Sequence, residues 1–141
     1  MEGTLSDGDN IFVDKLLYRY TDPERFDIIV FPAIDENNGG EILLIKRIVG
    51  MPGDIVQVKD GRLLINGVAL LNDPAGDIEL SYAGLAEEPI TLGEDEYFVM
   101  GDNRNHSRDS RYASVGTVSR SAIVGKASIR ITPLSKFGRV K

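Results

Sequence analysis

A central β-strand is predicted by the stretch Glu41-Ile42-Leu43-Leu44-Ile45-Lys46-Arg47-Ile48-Val49. Its apolar residues occupy successive positions, so that both faces of the strand are apolar. Strands of this kind are usually covered on both sides. A polar loop, residues 35–40, precedes the stretch and sets its beginning.

Shorter strands are predicted on both sides of it. Residues 27–31 indicate a strand that ends at Pro32, because proline cannot donate to a central ladder. Further strands are expected at residues 10–17, 55–58, 62–65, 96–100 and 122–131, the last of them interrupted by a bulge at Gly125. Asp60-Gly61 between two apolar runs predicts a hairpin, and Asn66-Gly67 predicts a second turn.

The pattern contains no long helix and no internal repeat. We therefore predict a mainly β fold with little helix, built from antiparallel coiled sheets or a partly closed barrel. Residues 1–141 are expected to form a single domain. Residues 72–93 mix proline, glycine and acidic side chains, and are expected to form a variable excursion at the edge of the sheet.

Composition excludes several classes of function. The hydrophobic content of 42% is that of a folded protein, and the net charge of −6 argues against a general nucleic-acid binder. No apolar stretch approaches the roughly 18 residues that a membrane-spanning helix needs. The absence of cysteine excludes disulfides, thiolate zinc sites and cysteine nucleophiles.

The chain has one histidine, which limits the chemistry further. A Ser-His-Asp triad would have to use His106, and a site with several histidine ligands is impossible. No metal and no cofactor are expected. Ser6 is a candidate nucleophile by residue type, although serines in turns more often form local hydrogen bonds.

Lys46 is a candidate base. Burial disfavours the charged ammonium and lowers the pKa of lysine, which gives an amine that can accept a proton near neutral pH. Ile42 and Leu44 share the face of Lys46 on the predicted strand, which supplies an apolar setting. The periodicity fits equally a lysine at a strand end that reaches solvent, and buried lysines are rare.

A second segment, Gly101-Asp102-Asn103-Arg104-Asn105-His106-Ser107-Arg108-Asp109-Ser110-Arg111, alternates acids and arginines. Such side chains can form bidentate ion pairs that hold a loop in one shape. A rigid loop would allow a hydroxyl such as Ser107 to orient another group. A solvated charged turn is the alternative interpretation of the same residues.

Together these blocks resemble the type I signal peptidases, membrane-anchored serine proteases that remove signal peptides from exported proteins. The family's Lys-Arg-x-x-Gly-x-Pro-Gly-Asp box matches residues 46–54, and its Gly-Asp-Asn-Arg-x-x-Ser-x-Asp-Ser-Arg box matches residues 101–111. Met1-Glu2-Gly3-Thr4-Leu5 is similar to the downstream part of the nucleophile motif Ser-Met-x-Pro-Thr-Leu, with Gly3 in place of proline. Gly125-Lys126-Ala127 looks like the family's closing strand.

The resemblance implies a role for each matching residue. Lys46 corresponds to the general base, and Ser107 to the serine that orients that lysine. The supporting residues are Asp102 and Arg104, with Asp109 and Arg111 as an ion pair. The residues that correspond to the shallow pockets for small side chains at the −1 and −3 positions of a signal peptide are Met1, Leu5, Leu44 and Ile45.

The resemblance also implies a Ser/Lys mechanism without a cofactor, in which substrates are cut after Ala-x-Ala. The nucleophilic serine and the N-terminal membrane anchor are expected upstream of Met1, so that the sequence as given is expected to be inactive. The encoded protein is expected in the bacterial cytoplasmic membrane, with this domain on the extracytoplasmic face. Its expected partners are signal peptides and the membrane, and not nucleic acid.

Three alternatives differ in class. A non-catalytic signal-peptidase-like protein would act as an assembly or binding module, but a scaffold needs neither Lys46 nor Ser107. A self-cleaving repressor also uses serine and lysine on a β-fold, but it lacks the second box. A β-sheet domain without a site would leave both boxes unexplained.

Overall fold

Short β-strands and single-turn 3-10 helices make up the protein in the computed structural model, which describes residues 1, 4–5, 8–133, 135 and 137–140. In chain order the strands are β1 Asn10–Asp14, β2 Ile28–Ile34, β3 Glu41–Gly50, β4 Ile55–Lys59, β5 Arg62–Ile65, β6 Val68–Ala69, β7 Ile90–Thr91, β8 Glu96–Met100, β9 Val118–Ser119, β10 Gly125–Thr132 and β11 Gly138–Arg139. The 3-10 helices are Leu17–Arg19, Gly84–Glu87, Arg104–His106 and Arg120–Ala122. The prediction of a mainly β fold with little helix is confirmed.

The strands form two antiparallel sheets. One has the order β1-β10-β2-β3-β8-β9, with β11 beside β10, and the other has the order β6-β5-β4-β7. Strand β3 lies between β2 and β8, as its two apolar faces predict. Its last five residues are all buried. The strand predicted at residues 41–49 is therefore the central strand of the larger sheet.

Strand β3 separates two apolar clusters. Ile48 packs with Ile29 and Val99 in one cluster, and the next residue, Val49, packs with Val56 and Phe98 in the other. Successive side chains of a strand point to opposite faces, so consecutive apolar residues supply both clusters. This double burial holds β3 rigidly, which matters because the candidate base Lys46 lies on it.

Both predicted turns are present. Asp60 and Gly61 join β4 to β5 with φ values of 51° and 71°. Asn66 and Gly67 join β5 to β6 with φ values of 53° and 81°. Two successive positive φ angles are those of the tight hairpin turns that favour Asn-Gly and Asp-Gly.

The prediction that a strand ends at Pro32 is wrong, because β2 continues to Ile34. The Val30 carbonyl accepts from Val124 on the β10 side, and the backbone of Pro32 faces the same side two residues later. Strand β10 pairs only with Ile29 and Val30 of β2, so no ladder partner in the described residues needs a donor from Pro32. Proline is tolerated where its strand is locally an edge.

Three other details differ from the prediction: the end of β1, the start of β10, which is at Gly125 because residues 120–122 form a 3-10 helix, and the position of the bulge. Strand β1 ends at Asp14, because the Asp14 carboxylate accepts from the backbone N–H groups of Leu16 and Leu17 and so turns the chain into the first 3-10 helix. The predicted bulge at Gly125 is absent. The register shifts of the β1–β10 pairing lie elsewhere, between Asn10 and Ile11 and between Phe12 and Val13 of β1, opposite the later part of β10. A Cβ at Gly125 would lie 2.5 Å from the Asp14 carbonyl oxygen, so this glycine permits close approach of β1.

Candidate active site

Lys46 lies on β3 opposite Ile29 of β2, and only 8% of its surface is exposed. Burial is the main effect on its pKa and lowers it below the ordinary value of 10.5. Asp109 and Asp102 favour the ammonium and oppose this shift, whereas the positive charge of Arg108 adds to it. The net result is an amine that loses its proton more readily than a lysine in water.

Ser107 lies beside Lys46, across Gly101. A Cβ built on Gly101 would be 2.5 Å from the Ser107 Cβ and 3.7 Å from the Lys46 Cδ, so both side chains converge on this residue. The Ser107 hydroxyl is buried and has no hydrogen-bond partner among the described residues. A buried hydroxyl without a partner is costly, and it is available to an amine that approaches it.

The four predicted support residues take part in three buried ion pairs, and Asp102 and Arg104 each pair with a residue outside the predicted set. Asp102 accepts from the Arg47 Nε at 2.8 Å and the Arg47 Nη2 at 2.7 Å. Burial alone would raise the pKa of Asp102, but the hydrogen bonds from Arg47 and Thr4 outweigh it and lower the pKa. Asp102 therefore remains charged and links β3 to the segment that contains Thr4.

Asp109 and Arg111 form the predicted ion pair. The Arg111 Nε and Nη2 each donate to the Asp109 carboxylate at 2.8 Å, and the two side chains are 0% and 1% exposed. The Asp109 Oδ2 also accepts from the Gly101 N–H at 3.1 Å. This pair thereby fixes the backbone on which Lys46 and Ser107 converge.

Arg104 pairs with a residue that the sequence interpretation did not single out. Its Nη1 lies 2.6 Å from the Asp73 Oδ2, and its Nη2 donates to the Asp73 Oδ1 at 2.8 Å. Asp73 lies within residues 72–93. The sequence alone does not distinguish it from the other acidic residues of that segment. Nothing in its spacing from Arg104 could have identified the pair.

The four candidate pocket residues lie in two segments. Leu5 is buried and Met1 is half-buried, and the Met1 carbonyl accepts from the Leu5 N–H at 2.8 Å. Leu44 and Ile45 are half-buried neighbours on β3 and so point to opposite faces. Leu44 packs against the cluster that contains Ile29, which leaves Ile45 on the other face of the sheet.

One edge of β3 is open beside Lys46. Strand β2 pairs with β3 along residues 41–47, whereas β8 pairs only with Arg47, Ile48 and Gly50. Residues 41–46 consequently have no strand on the β8 side within the described part of the chain. An extended peptide can pair with such an edge through main-chain hydrogen bonds.

The remaining candidates lie elsewhere. His106 is exposed, and its Nδ1 lies 3.2 Å from the Asn103 Oδ1, on the outside of the loop. Ser6 and Gly3 are outside the described residues. In the part of the chain that the structure describes, no three His, Asp or Glu side chains cluster as metal ligands. The same part contains no helix with the length and apolar character to cross a bilayer.

Comparisons with known proteins identify the family of the chain. The family model described as "Signal peptidase, peptidase S26" matches residues 1–132. A probable signal peptidase I-2 of Synechocystis sp. is 38% identical over 98% of this chain and 62% of its own length. A signal peptidase I of Bacillus licheniformis is 34% identical over 97% of this chain and 74% of its own length.

A solved structure gives the same result. The crystal structure of a signal peptidase I from Enterococcus faecalis V583 is 34% identical, covers 77% of this chain and 98% of its own, and superposes with a TM-score of 0.52. The chain spans 62% of the length of the Synechocystis relative and 66% of the length of a signal peptidase I of Leptolyngbya laminosa, about two thirds of each. With the family model matched over nearly its whole length, the chain belongs to the signal peptidase family, peptidase S26.

Proposed function

We propose that this protein is a serine endopeptidase that removes signal peptides from exported preproteins after small residues, with Lys46 as the general base. The observation that carries the proposal is the buried Lys46 side chain beside Ser107, over Gly101, in a chain of a peptidase family. Members of this family act on the signal peptides of preproteins and are membrane-associated. The proposed location of the domain is accordingly the extracytoplasmic face of the membrane.

The proposed reaction begins with proton transfer. Neutral Lys46 takes the proton of a serine hydroxyl, which the family motif places directly before Met1, and the serine oxygen attacks the scissile carbonyl. The resulting ammonium returns its proton to the leaving amine. Water then hydrolyses the acyl-enzyme, with Lys46 again as the base. Ser107 accepts a hydrogen bond from the Lys46 amine and sets its direction.

The proposed substrate position follows from the open edge of β3. An extended signal peptide that pairs with residues 41–46 would end beside Lys46. The side chains of such a peptide would lie beside Leu44 and Ile45, which are both half-buried. The preference for small residues such as alanine at the −1 and −3 positions is proposed from the family resemblance.

The test is peptide cleavage by the longest encoded protein that contains this chain, in detergent. A peptide with alanine at −1 and −3 should be cut after the −1 alanine, and the same peptide with leucine at −1 should resist cleavage. The residue encoded directly before Met1 should be serine. Binding of the peptide without cleavage would contradict the proposal and favour the non-catalytic binding module.

The pH dependence of cleavage should report Lys46. Only the neutral amine accepts a proton, so kcat/KM should rise with pH through the lowered pKa of Lys46 and then reach a plateau. In parallel, NMR titration of the lysine side chains should show one amine, absent from Lys46→Met, that titrates below 10.5. A rate that still climbs above about pH 10 would contradict a buried amine as the base.

Arg108→Gln should shift this profile to higher pH. The guanidinium of Arg108 lowers the pKa of Lys46, so its removal should raise that pKa and delay the appearance of the neutral amine. The plateau rate should change little, because the Arg108 guanidinium pairs with exposed Glu36 at 3.1 Å and has no role in the proposed proton transfer. Arg120→Gln, which removes a guanidinium that donates to Tyr18 and Thr21 instead, is the matched control and should leave the profile in place.

A further inference from the structure

Residues 72–93 pack directly on the loop that carries Ser107. Asn105 of that loop donates to the Glu79 carbonyl at 3.0 Å and accepts from the Ser81 N–H at 3.0 Å. Farther along, the Arg111 Nη1 donates to the Tyr82 carbonyl at 3.1 Å. The excursion predicted at the edge of the sheet is thus a second layer outside the candidate active site.

A buried ion pair of Asp73 and Arg104 also joins the two segments. Their side chains are 9% and 3% exposed, and two nitrogens of Arg104 face two oxygens of Asp73. A bidentate pair of this kind fixes the direction of the guanidinium as well as its position. The orientation of the third nitrogen, the Arg104 Nε, is therefore fixed, and it donates to the Gly101 carbonyl at 3.1 Å.

Gly101 is held from both sides in this way. Its N–H is bound by Asp109, which Arg111 fixes, and its carbonyl is bound by Arg104, which Asp73 fixes. Two buried ion pairs thereby determine where the Gly101 backbone lies. The side chains of Lys46 and Ser107 both lie next to that backbone.

We propose that Asp73 is a positioning residue for signal-peptide cleavage, acting through Arg104 and the Gly101 carbonyl to keep Ser107 against Lys46. The proposal rests on the proposed function. Without the Asp73 carboxylate, the Arg104 guanidinium loses its bidentate partner, and the direction of its Nε is no longer fixed. The Gly101 carbonyl then loses its donor, and the distance between Ser107 and Lys46 is no longer fixed.

Asp73→Asn tests this directly, because asparagine has nearly the same shape but no charge. We expect kcat to fall about 10- to 100-fold, as for other small misplacements of catalytic groups, with KM changed less than about threefold. Asp77→Asn is the matched control, since Asp77 is an exposed acid of the same excursion with no ion pair among the described residues. It should have wild-type kinetics.

A double-mutant cycle separates positioning from general destabilisation. If Asp73 acts through Ser107, then Asp73→Asn should cost less than about threefold in kcat once Ser107→Ala has removed the hydroxyl. Equal losses in both backgrounds would overturn the proposal. So would kinetics of Asp73→Asn that match those of Asp77→Asn.

A readout without catalysis distinguishes failure of this inference from failure of the proposed function. In Asp73→Asn, NMR titration should show the pKa of Lys46 moved towards 10.5, because a displaced loop admits water, while the facing charges of Asp102, Arg108 and Asp109 remain. An unchanged titration overturns the inference even if the parent protein cleaves nothing. Asp73→Glu, which keeps the charge, should fold if Asp73→Asn does not, and should show a smaller shift in the same direction.

Discussion

Lys46→Met should lower kcat/KM for signal-peptide cleavage by at least about a thousandfold, to the level of the reaction without a base. Methionine is long, flexible and apolar, so it can fill the space of the buried lysine stem without a charge. The loss of the amine leaves the serine hydroxyl with no group to take its proton. His106, the only histidine of the chain, lies on the exposed outside of the loop and cannot substitute.

The stability of the variant should distinguish this chemical loss from misfolding. Burial of an amine opposes folding, so Lys46→Met should unfold at the same temperature as the parent or a higher one. Lys59→Met, at the exposed end of β4, is the matched control and should retain activity. The activity of the two variants is measured with the same peptide. Persistent cleavage by Lys46→Met would refute the assignment of Lys46 as the base.

The sequence predicts those parts of the fold that depend on local rules. Asp60-Gly61 and Asn66-Gly67 adopt the positive φ angles of tight turns, for which glycine and asparagine have a local preference. The prediction at Pro32 fails because it depends on a distant part of the chain. Proline is excluded from a strand only where a neighbouring strand needs its N–H as a donor. Whether a neighbour is present depends on β10, which is about ninety residues away along the chain.

The same distinction applies to the candidate site. The ion pair of Asp109 and Arg111 is expected from the family resemblance, and the structure contains it. Spacing alone would not have identified it, because Asp102 and Arg104 are also two residues apart and pair with other residues. Arg104 and Asp73 are brought together only by the path of residues 72–93, and composition describes that segment merely as polar. Burial of Lys46 likewise depends on what covers β3, so periodicity leaves two interpretations open and the resemblance favours one of them.

Gly101→Ala should reduce kcat by about a hundredfold or more, since displacements near 1 Å can cost that much. The added methyl group would overlap the Ser107 side chain, whose Cβ lies 2.5 Å from the new carbon, and would contact the Lys46 stem at 3.7 Å. Neither end of the loop can yield easily, because buried ion pairs hold both sides of the Gly101 peptide. Overpacking of this kind should also cost about 1–3 kcal/mol in unfolding free energy.

A second substitution separates the steric effect from the chemical one. In Ser107→Gly the overlapping side chain is gone, so adding Gly101→Ala should cost little further stability, while activity should stay low because the orienting hydroxyl is absent. Gly93→Ala is the matched control: its Cβ would meet only the flexible Glu96 side chain, at 3.3 Å, and stability and cleavage should change little. Denaturant unfolding and peptide cleavage measure the two effects. If Gly101→Ala retained full activity, Lys46 and Ser107 could not depend on the close approach that only glycine permits, and the dyad geometry would have to be abandoned.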